Sequence, residues 1–298
     1  MWALLALAAA LLASFNPILY KRMLGPSTLP SVAGQAGPVV VVWGVIGLAL
    51  PLLALTTLVL TPVWPHVDGL FVLAVLGSAT LNTAAHLANA RSLKLADASL
   101  VTPLLTFSPV FTLLISAIFL GETPDVLGLI GVVFVLVGVY WLNRGQGSDW
   151  LAPFKSISVK PGVALVLLAG LLWAVTPMFE KLAIQRTFPE SPRLVALAVN
   201  GLLVGLLTPV ALRRGRLAIL ALAHHRREWL LAALIAGIAP ALGFTAIGLG
   251  LVGYVTTLFR FSAVFTVIWG ALLLGEPGLR QRLPASIVMV AGAVLIVV

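Results

Sequence analysis

Runs of about 20 apolar residues, each closed by a short punctuated turn, recur along the whole of this 298-residue chain. A helix rising ~1.5 Å per residue needs about 20 residues to cross the ~30 Å hydrocarbon layer of a bilayer. Inside hydrocarbon the backbone has to satisfy its own hydrogen bonds, so a chain built of such runs folds as a bundle of helices. Ten spans are expected, near residues 2–20, 35–58, 69–90, 98–120, 126–142, 161–180, 194–212, 228–248, 252–274 and 284–298. The joins carry turn signals such as "LGPSTLP", "TPVWPHVDG", "GETPD", "FPESPR" and "GEPGLRQR". Only 9% of the residues are charged, against about 25% in soluble domains, which excludes an ordinary soluble fold. The opening "MWALLALAAALLASFNP" lacks the basic stretch of a secretory signal and reads as a retained helix.

Charge sets the orientation. All of the 18 Lys and Arg except Lys181, Arg186, Arg193 and Arg260 fall in alternate loops, those joining spans 1–2, 3–4, 5–6, 7–8 and 9–10. Basic loops stay in the cytoplasm, so both termini are expected outside the cell's inner (plasma) membrane. The net charge of +9 is thereby spent on membrane anchoring, and no nucleic-acid partner is expected.

The chain repeats itself. A shift of 154 residues lays "FSPVFTLLISAIFLGE" (Phe107–Glu122) on "FSAVFTVIWGALLLGE" (Phe261–Glu276) and Gly138 on Gly292. Shifts of 160 and 158 match Pro17/Lys21 to Pro177/Lys181 and Pro51 to Pro209. Leu/Val-rich runs cannot by chance share Phe-Ser, Phe-Thr and Gly-Glu pairs in the same order. The expected architecture is therefore an all-α integral membrane protein of ten transmembrane helices, arranged as two inverted five-helix repeats around a central cavity. Residues 1–145 form the first repeat, 146–159 the inter-repeat loop and 160–298 the second. Because each half has an odd number of spans, the second enters the membrane upside down, an arrangement characteristic of secondary transporters.

Polar residues within the spans are the candidate site. Asn82, His86 and Asn89 lie at i, i+4 and i+7 on span 3 and share one face. Such a stripe either bonds to neighbouring helices or lines a cavity. Span 6 places Trp173, Thr176 and Glu180 on one face, and span 1 places Asn16 and Tyr20 one turn apart. Glu180 reads either as a solvated helix end beside Lys181, or as a partner of Arg260 or a proton carrier; His86, which titrates near neutrality, is a second coupling candidate. On span 4, Pro103 and Pro109 are expected to interrupt the backbone ladder near Thr102 and Thr106. Arg260 lies about 10 Å inside span 9, where a lone cation costs at least ~2.5–3.5 kcal/mol. Its repeat equivalent is Thr106, so the scaffold needs the cation only once. Recognition of an anionic ligand is the leading reading, with Tyr254 and Thr257 earlier on the same span; pairing with Glu180 or with free carbonyls of span 4 is the alternative. Gly201-x-x-x-Gly205, Gly128/Gly131 and Gly138 permit close helix approach, as monomer packing or homodimer contact. No metalloprotease, nucleophile-elbow or phosphate-loop motif occurs. No enzyme activity, cofactor or metal site is therefore expected.

"TPLLTFSPVFTLLISAIFLGE" (Thr102–Glu122), its echo in span 9, "LLWAVTPMFEK" (Leu171–Lys181) and the Gly-rich spans 5 and 10 resemble the EamA family of the drug/metabolite transporter superfamily. The resemblance covers essentially the whole chain. It implies a ten-helix carrier whose cavity is lined by spans 1, 3, 4, 6, 8 and 9, moving amino acids or other small metabolites, or nucleotide-sugars or lipid-linked sugars. Two features depart from it. Family members usually keep both termini in the cytoplasm, and the small multidrug relatives carry a carboxylate where this chain has Ala13 and Trp173. The expected function is alternating-access export of an amino acid or related carboxylated metabolite. In this reading Arg260 meets the anionic group, Trp173 and Tyr254 form walls, and Asn82 and Asn89 bond to polar edges. The alternative cargo is a lipid-linked phosphate or sugar, or a nucleotide-sugar-like metabolite.

Overall fold

The computed structural model describes residues 1–16, 19, 33–61, 63–95, 108–143, 161–213, 226–262, 264–265, 268–269 and 279–297. Among them ten helices follow one another: α1 (Trp2–Ala13), α2 (Ala33–Leu60), α3 (Gly69–Leu95), α4 (Ser108–Leu120), α5 (Val126–Asn143), α6 (Pro161–Gln185), α7 (Pro192–Leu212), α8 (Arg226–Leu249), α9 (Val252–Leu258) and α10 (Leu279–Val297). Each overlaps one expected span. Five are long and apolar enough to cross a membrane, within Val39–Leu60, Gly69–Asn89, Leu167–Gln185, Pro192–Leu212 and Arg226–Leu249, and four more are shorter apolar helices. The protein is thus a multi-pass helical membrane protein. Pro109 falls in the first turn of α4, where a missing N–H is harmless, so it starts the described helix rather than breaking it. Thr102, Pro103, Thr106 and Tyr20 lie outside the described residues.

The outer surface is apolar: Leu55, Leu58, Ile118, Phe119, Val126 and Val133 are all exposed, as a lipid-facing surface requires. Several hydroxyls in the spans are satisfied within their own helices. Thr57, Thr83, Thr112, Thr245 and Thr257 each donate to a carbonyl four residues earlier, which removes the penalty of an unbonded donor in hydrocarbon.

Two close helix contacts organise the interior. Helix α5 packs on α10 through glycine: a Cβ at Gly292 would lie 2.6 Å from the Gly131 carbonyl oxygen and 2.8 Å from the Val135 nitrogen. The backbones meet directly there. Helix α3 packs along α6, where a Cβ at Gly77 would strike the Phe179 ring at 2.8 Å. By contrast, a Cβ at Gly201 or Gly205 would meet nothing within 4 Å. Their spacing serves no packing among the described residues of this chain.

At the end of the bundle near the first residues, two short strands join the halves. β1 (His66–Val67) precedes α3 and β2 (Thr187–Phe188) follows α6; they pair antiparallel, His66 with Phe188 and Val67 with Thr187. Asp68 accepts from the Phe71 N–H at 2.8 Å and so caps α3. Thr187 Oγ accepts from the Ser191 N–H at 2.7 Å, and the Ser191 side chain caps α7. The Asp68–Arg186 pair at 3.5 Å is exposed on both sides and worth at most about 1 kcal/mol.

Candidate functional site

The polar residues expected on α3 and α6 face each other. Glu180 is buried at 7% exposure, so it is not a solvated helix end. Its Oε1 accepts from Ser78 Oγ and from Asn82 Nδ2, both at 3.2 Å. Asn82 also donates to Ser78 Oγ at 3.3 Å. Both donors are neutral, and among the described residues no cation pairs with Glu180. Two turns deeper, the His86 ring meets Trp173 edge-on, with centroids 5.3 Å apart and planes at 79°. Thr176 is buried between these two levels of α6. Asn89 continues the stripe, half-buried, one turn beyond His86. The seam from Ser78 to Asn89 runs about 16 Å at ~1.5 Å per residue. Pro177 lies inside α6 and cannot donate to the carbonyl four residues back, which leaves the Trp173 C=O without its helical donor beside this seam.

Arg260 follows α9. Its Nη2 donates to Ser108 Oγ at the start of α4, while its Nε is buried without a hydrogen-bond partner among the described residues. Neither Glu180 nor any other described carboxylate forms an ion pair with it. Further along the same span, Trp269 Nε1 donates to Ser14 Oγ at 2.9 Å and its ring stacks on Phe15, centroids 4.9 Å apart. Asn16, two residues on from Ser14, has a buried Oδ1 with no partner among the described residues. Thus Arg260 and Asn16 each present a buried, unused polar atom, one a donor and one an acceptor.

The remaining candidates on α9 sit differently. Thr257 is fully buried and its hydroxyl is bonded to the Gly253 carbonyl at 2.7 Å. Tyr254 donates its hydroxyl to Asp125 Oδ1 at 2.6 Å, at the bundle end rather than beside Arg260. That bond is the main reason the Asp125 carboxyl is held below its ordinary value; N–H groups of the following turn assist. Close by, Lys181 Nζ donates to Glu122 Oε1 at 2.6 Å and to the Gly250 carbonyl at 2.8 Å. Glu122 Oε2 accepts from the Val252 N–H at 2.7 Å. Gly121 makes this possible: its φ of +67° is the left-handed helix stop that glycine supplies, and it turns Glu122 back onto the bundle. The "Leu-Gly-Glu" ending is therefore structural at Glu122. Glu276 lies outside the described residues.

Sequence reasoning missed Ser78, although extending the Asn82–His86–Asn89 stripe one turn back reaches it. It also missed Asp125 and Ser108, whose partners are more than 100 positions away and leave no local pattern. No group of three metal-ligating side chains occurs among the described residues.

Comparison with known proteins extends this picture. The model of the EamA-like transporter family matches the chain twice, over residues 1–144 and 160–298. A solved structure described only as the crystal structure of a protein superposes with a TM-score of 0.71, covering 99% of this chain and 95% of its own at 16% identity; at that identity it speaks for the fold alone. No curated protein matches.

Proposed function

We propose that this chain, which belongs to the EamA-like transporter family, is a secondary carrier that exports an amino acid or a related carboxylated metabolite by alternating access. The observation that carries the reading is the state of Glu180 and Arg260, two charged groups in the bundle with no ionic partner among the described residues. Glu180 and Arg260 are bonded to neutral side chains and not to each other. An unpaired charge inside a membrane bundle is expensive and marks a pathway. Arg260, with Nε unused, takes the solute carboxylate, helped by Ser108. Asn82, Asn89, Asn16 and Thr176 bond to polar edges. Trp173 and, toward the bundle end, the ring of Tyr254 form walls. Thr106 and Tyr20 complete the proposed lining; Thr257, fully buried and bonded to the Gly253 carbonyl, is left out of it. Glu180 and His86 are the coupling groups, because Glu180 can take either a proton or the solute's ammonium.

The ten helices are read as ten spans in two inverted halves of the inner membrane, with both termini outside, following the charge of the loops. Ser191 is buried as a helix cap, so a reporter for that face belongs at exposed Glu190. With no native cysteine, a Glu190→Cys variant should react with an impermeant maleimide added to intact cells, and a Gln146→Cys variant only after lysis. The reverse pattern overturns the orientation.

Counterflow in proteoliposomes tests the function. Liposomes preloaded with an amino-acid and carboxylate panel should accumulate the matching labelled solute, while neutral sugars and simple amines should not exchange. Exchange confined to phosphate-bearing or lipid-linked sugars would discard the cargo reading and keep the carrier.

A further inference from the structure

The end of the bundle that carries β1 and β2 is fastened by bonds that cross between the halves. Glu122 of the first half binds Lys181 and the Val252 N–H of the second, at 2.6 and 2.7 Å. Asp125 of the first half binds Tyr254 of the second. Lys181 also holds the Gly250 carbonyl, so one ammonium and one carboxylate fix the short α8–α9 turn against the end of α4. Side-chain exposure of 13% and 8% for Lys181 and Glu122 takes this pair out of the class of solvated surface bridges. Just beneath, a Cβ at Gly253 would lie 2.9 Å from Leu113 Cβ, so α9 and α4 approach closely there. Just above lies a cleft of about 450 Å³ lined by residues that include Trp2, Asp125, Lys181, Gly250 and Tyr254. Asp125, Lys181 and Tyr254, three of the fastened residues, therefore line the cleft.

We infer that Glu122 and Lys181, seconded by Asp125 and Tyr254, are the closing contact of the transport path at this face, the bonds that part when the cavity opens toward the termini. The inference rests on the carrier reading above. Charge-assisted bonds suit the task, being strong when dry and replaceable by water once the halves separate. Asp125 is held below its ordinary value, chiefly by the Tyr254 hydroxyl, so it stays ionised through the range in which a free carboxylate takes up its proton.

The test uses access, not flux. An Asn82→Cys reporter in the otherwise cysteine-free chain is exposed to an impermeant maleimide from the face carrying the termini. Adding Glu122→Gln and Lys181→Met should speed labelling about 10-fold, because loss of the charged bonds shifts the population toward the open form. In a second arm, a chain carrying Glu122→Cys and Lys181→Cys but not the reporter is bridged by a short, reducible bis-thiosulfonate. Bridging should stop solute counterflow, and reduction should restore it. This arm keeps the proposal testable even if the neutral pair folds poorly. Unchanged labelling in the neutral pair, or flux through the bridged protein, overturns the closing contact. A protein that shows the access changes but exchanges no solute leaves the contact standing and removes the carrier function instead.

Discussion

Replacing Arg260 by Gln is expected to lower solute transport about 100-fold while leaving the thermal midpoint within a few degrees of wild type, since on the proposed carrier reading the loss falls on a charged bond to solute. The geometry separates the two effects. Gln retains a donor for Ser108 Oγ, the one side-chain partner of Arg260 among the described residues. What disappears is a positive charge that no described carboxylate neutralises and an Nε that no described protein group uses. A cation held for structure would have its donors satisfied, because each unpaired one weakens the fold. Removing this charge relieves a desolvation penalty and should not unfold the bundle. Measured flux and detergent melting curves on one preparation check both halves of the expectation. A large fall in the midpoint would assign Arg260 to the scaffold and leave the anion argument without its residue.

The largest effect on folding is expected at Gly292. Valine there brings a Cβ to 2.6 Å from the Gly131 oxygen and 2.8 Å from the Val135 nitrogen. Both are backbone atoms that cannot rotate away, so α5 and α10 must move apart. Overpacked cores commonly lose ~1–3 kcal/mol when side chains can yield; with backbone on the opposing side, about 3 kcal/mol or more is expected. That is a large share of the ~5–15 kcal/mol that separates folded from unfolded states in typical domains. Gly292→Val should therefore fail to give monodisperse protein at 37 °C, whereas Gly201→Ala, with open space around the new atom, should not. Size-exclusion profiles before and after heating distinguish them, and equal behaviour of the two variants would refute the close contact.

These two glycines show where sequence stops being informative. Gly201 and Gly205, like Gly128, Gly131 and Gly138, read from sequence as close-approach positions, yet a Cβ at Gly201 or Gly205 would meet nothing within 4 Å among the described residues, while Gly131 meets the Gly292 backbone. Which face of a helix meets a neighbour depends on how the bundle closes, and in a membrane both faces are apolar. Periodicity therefore cannot choose between them. The helices themselves were legible because hydrocarbon thickness fixes their length, and each described helix overlaps an expected span. The stripe of Asn82, His86 and Asn89 was legible for a related reason: polar atoms in an apolar run need a common direction. Its pairing with Trp173 and Glu180 followed once α3 lay along α6. Tyr254 was different. Sequence put it near Arg260 by helical spacing, but the hydroxyl found Asp125, a partner visible only after the chain had folded.

The paired strands β1 and β2 restrict how the duplicated halves can move. Their register ties His66–Val67 of one copy to Thr187–Phe188 of the other, directly beyond the helix that carries Lys181. Any rearrangement that preserves this ladder keeps those four residues paired even as Glu122 and Lys181 part. On the carrier reading the halves then pivot about the ladder instead of gliding apart in parallel, and the gap widens with distance from it.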